Sequence, residues 1–289
     1  MKDATELQAG LYVVATPLGN LGDITARARS VLASVDTIAC EDTRVTRELL
    51  HLLDIATPRL TSVREHNERQ AAEQIVGRIA SGAAVAYASD AGTPAISDPG
   101  ARLVAAVRAA GFPIIPVPGV SAVTAALSVA GLESTAFTFA GFAPTGKTDL
   151  VAFFETAASR VETTVFFESP HRVEKTLMAA AAALPADRRV VVARELTKKF
   201  ETVTALSAGA LPAWLSATAD RLRGEFVIVV AGAPAAPAAQ GALIDARALL
   251  KALLAELPPA KAAKVAAKVT GGDRDTLYTL AESLKTAVR

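Results

Sequence analysis

The stretch Leu11–Thr25, LYVVATPLGNLGDIT, decides the fold. Its opening, LYVVAT, is apolar and β-branched, which suits a strand covered on both faces. Pro17, Gly19 and Gly22 then break the run. A helical pattern follows over Ile24–Val35, with Ala28, Val31, Leu32 and Val35 at helical spacing. The order strand, Gly/Pro loop, helix opens a parallel βαβ unit. It returns at AVAYASDAGTPAISDPGARL (Ala84–Leu103) and at PIIPVPGVSAVTAAL (Pro113–Leu127).

Working outward, Thr37–Cys40 reads as a short strand. Thr43–Leu53, Glu68–Ala80 and Ala101–Ala110 read as helices, the last stopped by Gly111. Residues 1–118 are therefore expected to form an α/β domain on a mainly parallel sheet. A second α/β domain, 119–231, should be more antiparallel. Its helices are Ser121–Ala130, Leu150–Ala158 and His171–Ala183. Its strands are Ala136–Ala140, Thr163–Phe167, Val190–Arg194, Thr202–Leu206 and Glu225–Val230. GAPAAPAAQG (232–241) reads as a linker, because Pro interrupts helix and strand alike. A small helical domain, 242–289, closes the chain with helices at Leu243–Leu257, Lys261–Thr270 and Thr276–Thr286.

Composition narrows the function classes. Half of the 289 residues are apolar but only 5% are aromatic, so Ala, Val and Leu carry the core. The single Cys40 allows no internal disulfide, and His51, His66 and His171 lack zinc-type spacing, so no metal is expected. No apolar run is long enough to span a bilayer, and MKDATELQAG is not a secretory leader. A cytoplasmic protein with no membrane partner is expected. Net charge is +1, and residues 242–289 alone carry eight basic against five acidic side chains. Contact with nucleic acid driven by bulk charge would start in that tail.

GFAPTGKT (Gly141–Thr148) matches the phosphate-binding P-loop letter for letter, between a strand and a helix. A nucleotide-binding protein is thus an alternative. Pro144 counts against it, since it removes a backbone N–H from a nest that must donate several. No following strand ends in an Asp that could hold magnesium; Glu168 ends the nearest one.

Three other loops leave strands at their carboxyl ends, where open α/β sheets bind ligands. They are Ala15–Thr25, with Pro17 and Gly19; Ala88–Leu103, with Asp90, Gly92, Thr93 and Ile96; and Val117–Leu127, with Ser121 and Ala122. Tight Gly/Pro turns bring backbone donors and acceptors close to a ligand. The first loop is not Gly-x-Gly-x-x-Gly, so a dinucleotide fold is not indicated.

TPLGN, CEDTR (Cys40–Arg44), HNE (His66–Glu68), SDAGTPAISDPG (Ser89–Gly100), PGVSA (Pro118–Ala122), FESPHR (Phe167–Arg172), ARELTKKFE (Ala193–Glu201) and RGEFVIVV (Arg223–Val230) occur in this order. Together they resemble the tetrapyrrole methylase-like family of S-adenosylmethionine (SAM) enzymes. Within it they are similar to the bacterial branch that methylates the ribose 2′-hydroxyl of a cytidine in the decoding region of 16S rRNA. The resemblance runs from Leu11 to about Val230 and extends into the helical tail. It implies a two-domain fold with SAM in the interdomain cleft, a homodimer, and the small ribosomal subunit as partner. It places cofactor contacts at Asp90, Gly92, Thr93, Ile96, Ser121 and Ala122, with Glu168 and Val227 on the adenine side. A precorrin-type methylase is the same-fold alternative; ARELTKKFE and the basic tail count against it. GFAPTGKT falls where the family carries a Gly-Phe-Leu-Pro loop followed by several basic residues. This chain departs there, with Ala143 and only Lys147 before Asp149.

The implied reaction is an in-line displacement by a weakly acidic hydroxyl, so alignment dominates and a base assists. Candidates for the catalytic groups are Glu41, Glu195 and Lys198, with Asp90 and His66 behind them. A lysine of lowered pKa would accept the proton; an ordinary one would bind phosphate. Lys147, Arg172 and Lys199 are candidate RNA contacts. So are Lys261, Lys264 and Lys268, which share one face of the middle tail helix. Val265 and Val269, on a neighbouring face, are expected to pack on the other two tail helices.

Overall fold

The computed structural model describes residues 7–64, 66–97, 100–133, 136–234 and 246–286. Asp98 and Pro99 of the second loop, linker residues 235–241 and the expected helix start at 243–245 lie outside the described residues. The chain forms two compact units, Met1–Gly232 and Ala233–Arg289.

The first unit holds two five-stranded sheets. The first contains β1 (Gly10–Val14), β2 (Thr37–Cys40), β3 (Arg59–Ser62), β4 (Ala84–Ala88) and β5 (Ile114–Val117), in the order β3-β2-β4-β1-β5. Every pairing is parallel, as its continuous apolar strands require. The helices between are α1 (Ala26–Ser34), α2 (Thr43–Leu52), α3 (Glu68–Ala80) and α4 (Ala101–Ala109). Core packing divides between the faces. Val14, Leu32, Ile38 and Leu50 meet on one side, and Leu11, Ile75, Val85 and Leu103 on the other. The helix starts follow local chemistry. Thr25 accepts the Ala28 N–H at the head of α1, and Asp42 accepts the Arg44 N–H at the head of α2.

After α5 (Ala122–Val129), the second sheet orders β6 (Phe137–Phe142), β7 (Thr163–Glu168), β10 (Phe226–Val230), β8 (Arg189–Arg194) and β9 (Thr202–Ser207) as β6-β7-β10-β8-β9. Only β6 and β7 run parallel; the other pairs are antiparallel. One face is covered by α6 (Lys147–Ser159), α7 (Val173–Ala183) and α8 (Leu211–Ser216), which bury Phe154, Leu177 and Leu211 against Phe166 and Ile228. The other face packs on α5 through Val123 and Ala126.

Two elements lack a pattern in sequence. β3, RLTS, is an edge strand with no fully buried residue, and α8 is under two turns long with Pro212 in its first turn. Neither shows the periodicity that marks longer elements.

The second unit contains α9 (Ala246–Leu254), α10 (Pro259–Thr270) and α11 (Arg274–Thr286) around Leu250, Ala262, Ala263, Ala266, Leu277 and Ala281. The expected packing of Val265 and Val269 is corrected here: they are 38% and 52% exposed. The small faces of Ala262, Ala263 and Ala266 let the neighbouring helices approach instead.

Candidate active site

The loops after β4, β1 and β5 lie side by side because those strands are neighbours. They are stitched to one another. Thr16 and Gly92 exchange both backbone hydrogen bonds, N to O, at 2.9 and 3.0 Å. The Thr16 hydroxyl donates to the Ser89 carbonyl at 3.1 Å, and the Thr93 hydroxyl to the Val120 carbonyl at 2.9 Å. Gly92 sits at φ +74°, where a side chain is disfavoured, and a Cβ there would come 3.1 Å from Leu18 Cδ2. Glu68 fixes the far end of the second loop. Its buried Oε1 accepts the N–H groups of Gly100 and Arg102, each at 2.9 Å, and so caps α4. Thus the HNE stretch contributes its glutamate to the scaffold, while His66 is exposed.

These loops face the second sheet across a cavity of about 330 Å³. Gly92, Thr93, Ile96, Ser121 and Ala122 line it from the first side. Glu168 and Val227 line it from the second, with Phe142, Phe167 and Phe226. Pro17, Gly19 and Asp90 do not line it, although Leu18 and Ala91 beside them do. Asp90 turns instead toward the end of β2, where its Oδ1 accepts the Asp42 N–H at 3.1 Å.

Asp90 and Glu41 form an acidic pair at the ends of β4 and β2. Burial, then the charge of the other, raises the pKa of Glu41; burial and the nearby Asp42 raise that of Asp90. Asp42 takes the opposite course. Hydrogen bonds from Arg44, with Arg64 also near, hold its carboxyl far below the usual range.

Glu195 and Lys198 lie on the loop after β8. Glu195 Oε1 accepts the Glu225 N–H at 2.9 Å and Lys198 Nζ at 3.1 Å; Nζ also reaches Glu225 Oε2 at 2.9 Å. Burial opposes both charges, yet the hydrogen bonds and opposite charges prevail. The Glu195 pKa is lowered and the Lys198 pKa is raised. A neutral lysine acting as proton acceptor is therefore at odds with this geometry, and the Glu195 carboxylate is made less basic than usual. Lys199 is exposed, with Nζ 5.5 Å from the centre of the Phe200 ring.

The GFAPTGKT segment does not form a phosphate cradle. Gly141 and Phe142 belong to β6, and Lys147 begins α6 with its side chain in solvent. The loop between turns carbonyls, not N–H groups, toward cations. Arg172 Nη2 donates to the carbonyls of Ala143 (2.5 Å) and Pro144 (3.0 Å), and Lys175 Nζ to that of Thr145 (3.3 Å). Arg172 also meets Glu168 Oε2 at 3.3 Å. Glu168 is completely buried; it accepts the Thr176 hydroxyl at 2.6 Å and the Ser169 N–H at 2.7 Å. FESPHR thus clamps the rim loop to α7, and the Arg172 guanidinium is largely spent inside the protein.

Several lining residues carried no separate signal in sequence. Leu18, Phe167, Ser169, Pro170, Glu225 and Phe226 all sit inside the quoted motifs, as neighbours of the polar residues that drew attention.

A parallel sheet joined to a mixed sheet, with stitched loops over an apolar cleft between them, defines a two-sheet α/β protein with a small-ligand cleft beyond its strand ends. The family described as tetrapyrrole (corrin/porphyrin) methylases matches residues 10–212, and the RsmI C-terminal HTH domain matches residues 240–285. The chain is 48% identical over 275 residues to ribosomal RNA small subunit methyltransferase I of Neisseria meningitidis serogroup B, covering 95% of this chain and 94% of that one. With the protein of that name from Escherichia coli O157:H7 it shares 43% identity over 283 residues, covering 97% of each. Uroporphyrin-III-C-methyltransferase from Thermus thermophilus shares the fold, with TM-score 0.55, 21% identity and coverage of 77% of this chain and 94% of that one. The chain belongs to the tetrapyrrole methylase family, in the branch of the ribosomal RNA small subunit methyltransferase I proteins.

Proposed function

We propose that this methyltransferase uses SAM to methylate the ribose 2′-hydroxyl of a cytidine in the decoding region of 16S rRNA, on the assembled small subunit. One observation carries the reading. The chain matches the ribosomal RNA branch along nearly its whole length, and the cleft between its sheets has the form of a cofactor site. That cleft falls in the range of small-ligand pockets, roughly 300–1,000 Å³, and combines an apolar lining with a few polar groups. Gly92, Thr93, Ile96, Ser121 and Ala122 would hold the cofactor from the first sheet, and Glu168 and Val227 from the second.

When bound, SAM supplies a methyl group on a sulfonium centre, open to in-line attack. The chain's own contribution is alignment and exclusion of water, provided by three loops hydrogen-bonded into one surface. Asp90 and Glu41 both have raised pKa values and neither lines the cavity; Asp90 is tied to the Asp42 N–H, so the proton-acceptor role is assigned to Glu41. Its pKa is raised toward the working pH, whereas Glu195 is depressed and Lys198 is held as an ammonium. Lys147 and Lys199, both exposed, would meet RNA phosphates; Arg172 would act on that surface through the rim loop it clamps. Lys261, Lys264 and Lys268 are exposed on one face of α10, beside exposed Val265 and Val269, and would dock the tail on rRNA. The homodimer and the cytoplasmic location belong to the same reading. Among the described residues, no helix is long and apolar enough to cross a membrane.

The test is labelled methyl transfer from SAM to small subunits lacking the modification, with naked 16S rRNA in parallel. Incorporation into the particles and little into naked RNA is the expected result. Incorporation into neither, by a protein that binds SAM, would contradict the reading.

A further inference from the structure

Three motifs far apart in sequence meet at the edge of the cleft. Gly19 of TPLGN lies against Lys198 of ARELTK: a Cβ built on Gly19 would come 2.3 Å from Lys198 Cγ and 2.9 Å from Cε. The lysine stem therefore lies flat on the backbone of the first loop. Its ammonium reaches Glu195 at 3.1 Å and Glu225 at 2.9 Å. Glu195 in turn packs on Gly224 of RGEF, where a Cβ would come 2.5 Å from Glu195 Cγ. Backbone conformations that side chains rarely adopt hold the group: φ is +53° at Glu195, +67° at Thr197 and +96° at Gly224. Leu18, Leu196 and Glu225, within or adjoining the stack, line the cavity.

We infer that Gly19, Lys198, Glu195 and Gly224 form a latch that ties the loop after β1 to the loop after β8 and so sets the width of the cofactor cleft. Lys198 is then a positioning residue for the methyl donor. The stem supplies the contact across the cleft. The ammonium screens Glu195 from Glu225, two carboxylates that would otherwise repel across the loop. Gly19 is required because any side chain there displaces the stem. The inference rests on the proposal that the cleft binds SAM.

The test is a double-mutant cycle read by SAM calorimetry, with thermal melting as the folding control. Gly19→Ala and Lys198→Ala should each weaken SAM roughly tenfold, and the double variant should be no weaker than Lys198→Ala alone. In steady-state transfer, Lys198→Ala should raise the KM for SAM and leave kcat at saturating SAM within about threefold. Lys198→Met keeps the stem and loses the charge. On that background Gly19→Ala should again weaken SAM, which carries the test if Lys198→Ala does not fold. Multiplying losses in the Gly19/Lys198→Ala double variant, or a fall in kcat with SAM affinity intact, would overturn the latch. A wild-type protein that binds no SAM would overturn the cofactor reading itself. A wild type that binds SAM, with variants that bind it equally well, would overturn the latch alone.

Discussion

The Glu168–Arg172 clamp supports a quantitative prediction. Glu168 is completely buried and holds three donors: the Arg172 guanidinium, the Thr176 hydroxyl and the Ser169 N–H. Glu168→Leu removes every acceptor while keeping the bulk. It strands the Thr176 hydroxyl and the Ser169 N–H, at about 1–3 kcal/mol for each donor left without a partner. It also leaves Arg172 without its counter-charge. Breaking a buried pair costs about 3–5 kcal/mol, and the 28% exposure of the arginine side chain and its two carbonyl acceptors favour the lower end. Taking the lower end of each contribution, a total of ~5 kcal/mol is expected. Arg172→Met should cost ~2 kcal/mol, because Glu168 keeps its other two donors. The double variant should lose little more than Glu168→Leu alone, giving a coupling energy of ~2 kcal/mol. Urea unfolding at neutral pH, followed by circular dichroism, measures all four proteins. A coupling energy below ~0.5 kcal/mol would refute the reasoning, since the clamp would then not act as a unit.

Four further predictions follow from the same geometry. Asp90→Asn keeps an acceptor for the Asp42 N–H and removes a carboxylate whose pKa folding raises, so it should stabilise the protein at neutral pH. An acid with a raised folded pKa loses stability as pH climbs from its unfolded value, near 3.9, through its folded one. The gain should therefore shrink as pH falls toward ~4, which urea midpoints at pH 4.5 and 7.5 would show. Gly100→Ala should cost at least ~2 kcal/mol in the same assay, because φ is +119° and the new Cβ would fall 2.1 Å from Tyr87 Cε1. Glu41→Gln should lower kcat by roughly a hundredfold with SAM affinity unchanged; less than a threefold loss would assign the proton to another acceptor. Replacing Lys261, Lys264 and Lys268 together by Ala should flatten the salt dependence of rRNA binding by roughly two units of slope, and an unchanged slope would remove α10 from the RNA surface.

The fold was legible where the chain repeats one device. Strand, Gly/Pro loop and helix at Leu11, Ala84 and Pro113 announce parallel strands, and their apolar continuity shows that both faces are covered. β3 and α8 escaped because a half-buried edge strand and a helix of six residues have no period to display. The candidate site was legible as loops more than as side chains. Gly92, Thr93, Ile96, Ser121 and Ala122 do line the cleft, but Asp90 turns away to Asp42, and Gly19 serves Lys198 rather than the cavity wall. Such contacts join residues more than forty positions apart, and no local pattern encodes them. GFAPTGKT shows the converse. Its letters fit a phosphate loop, yet the chain puts Gly141 in a strand and lends the loop's carbonyls to Arg172. The tail valines misled for a related reason. Helical spacing identifies a face, but the alanines on the adjoining face are the ones that let the neighbouring helices come close.

The central claim is the chemistry of one transferred methyl group. Small subunits lacking the modification, incubated with this protein and SAM, are digested to nucleosides and analysed by mass spectrometry. The account predicts 2′-O-methylcytidine at about one residue per particle, and its loss when the cleft is blocked by Ser121→Trp. A methyl group on a base, or on the ribose of a nucleotide other than cytidine, would contradict it.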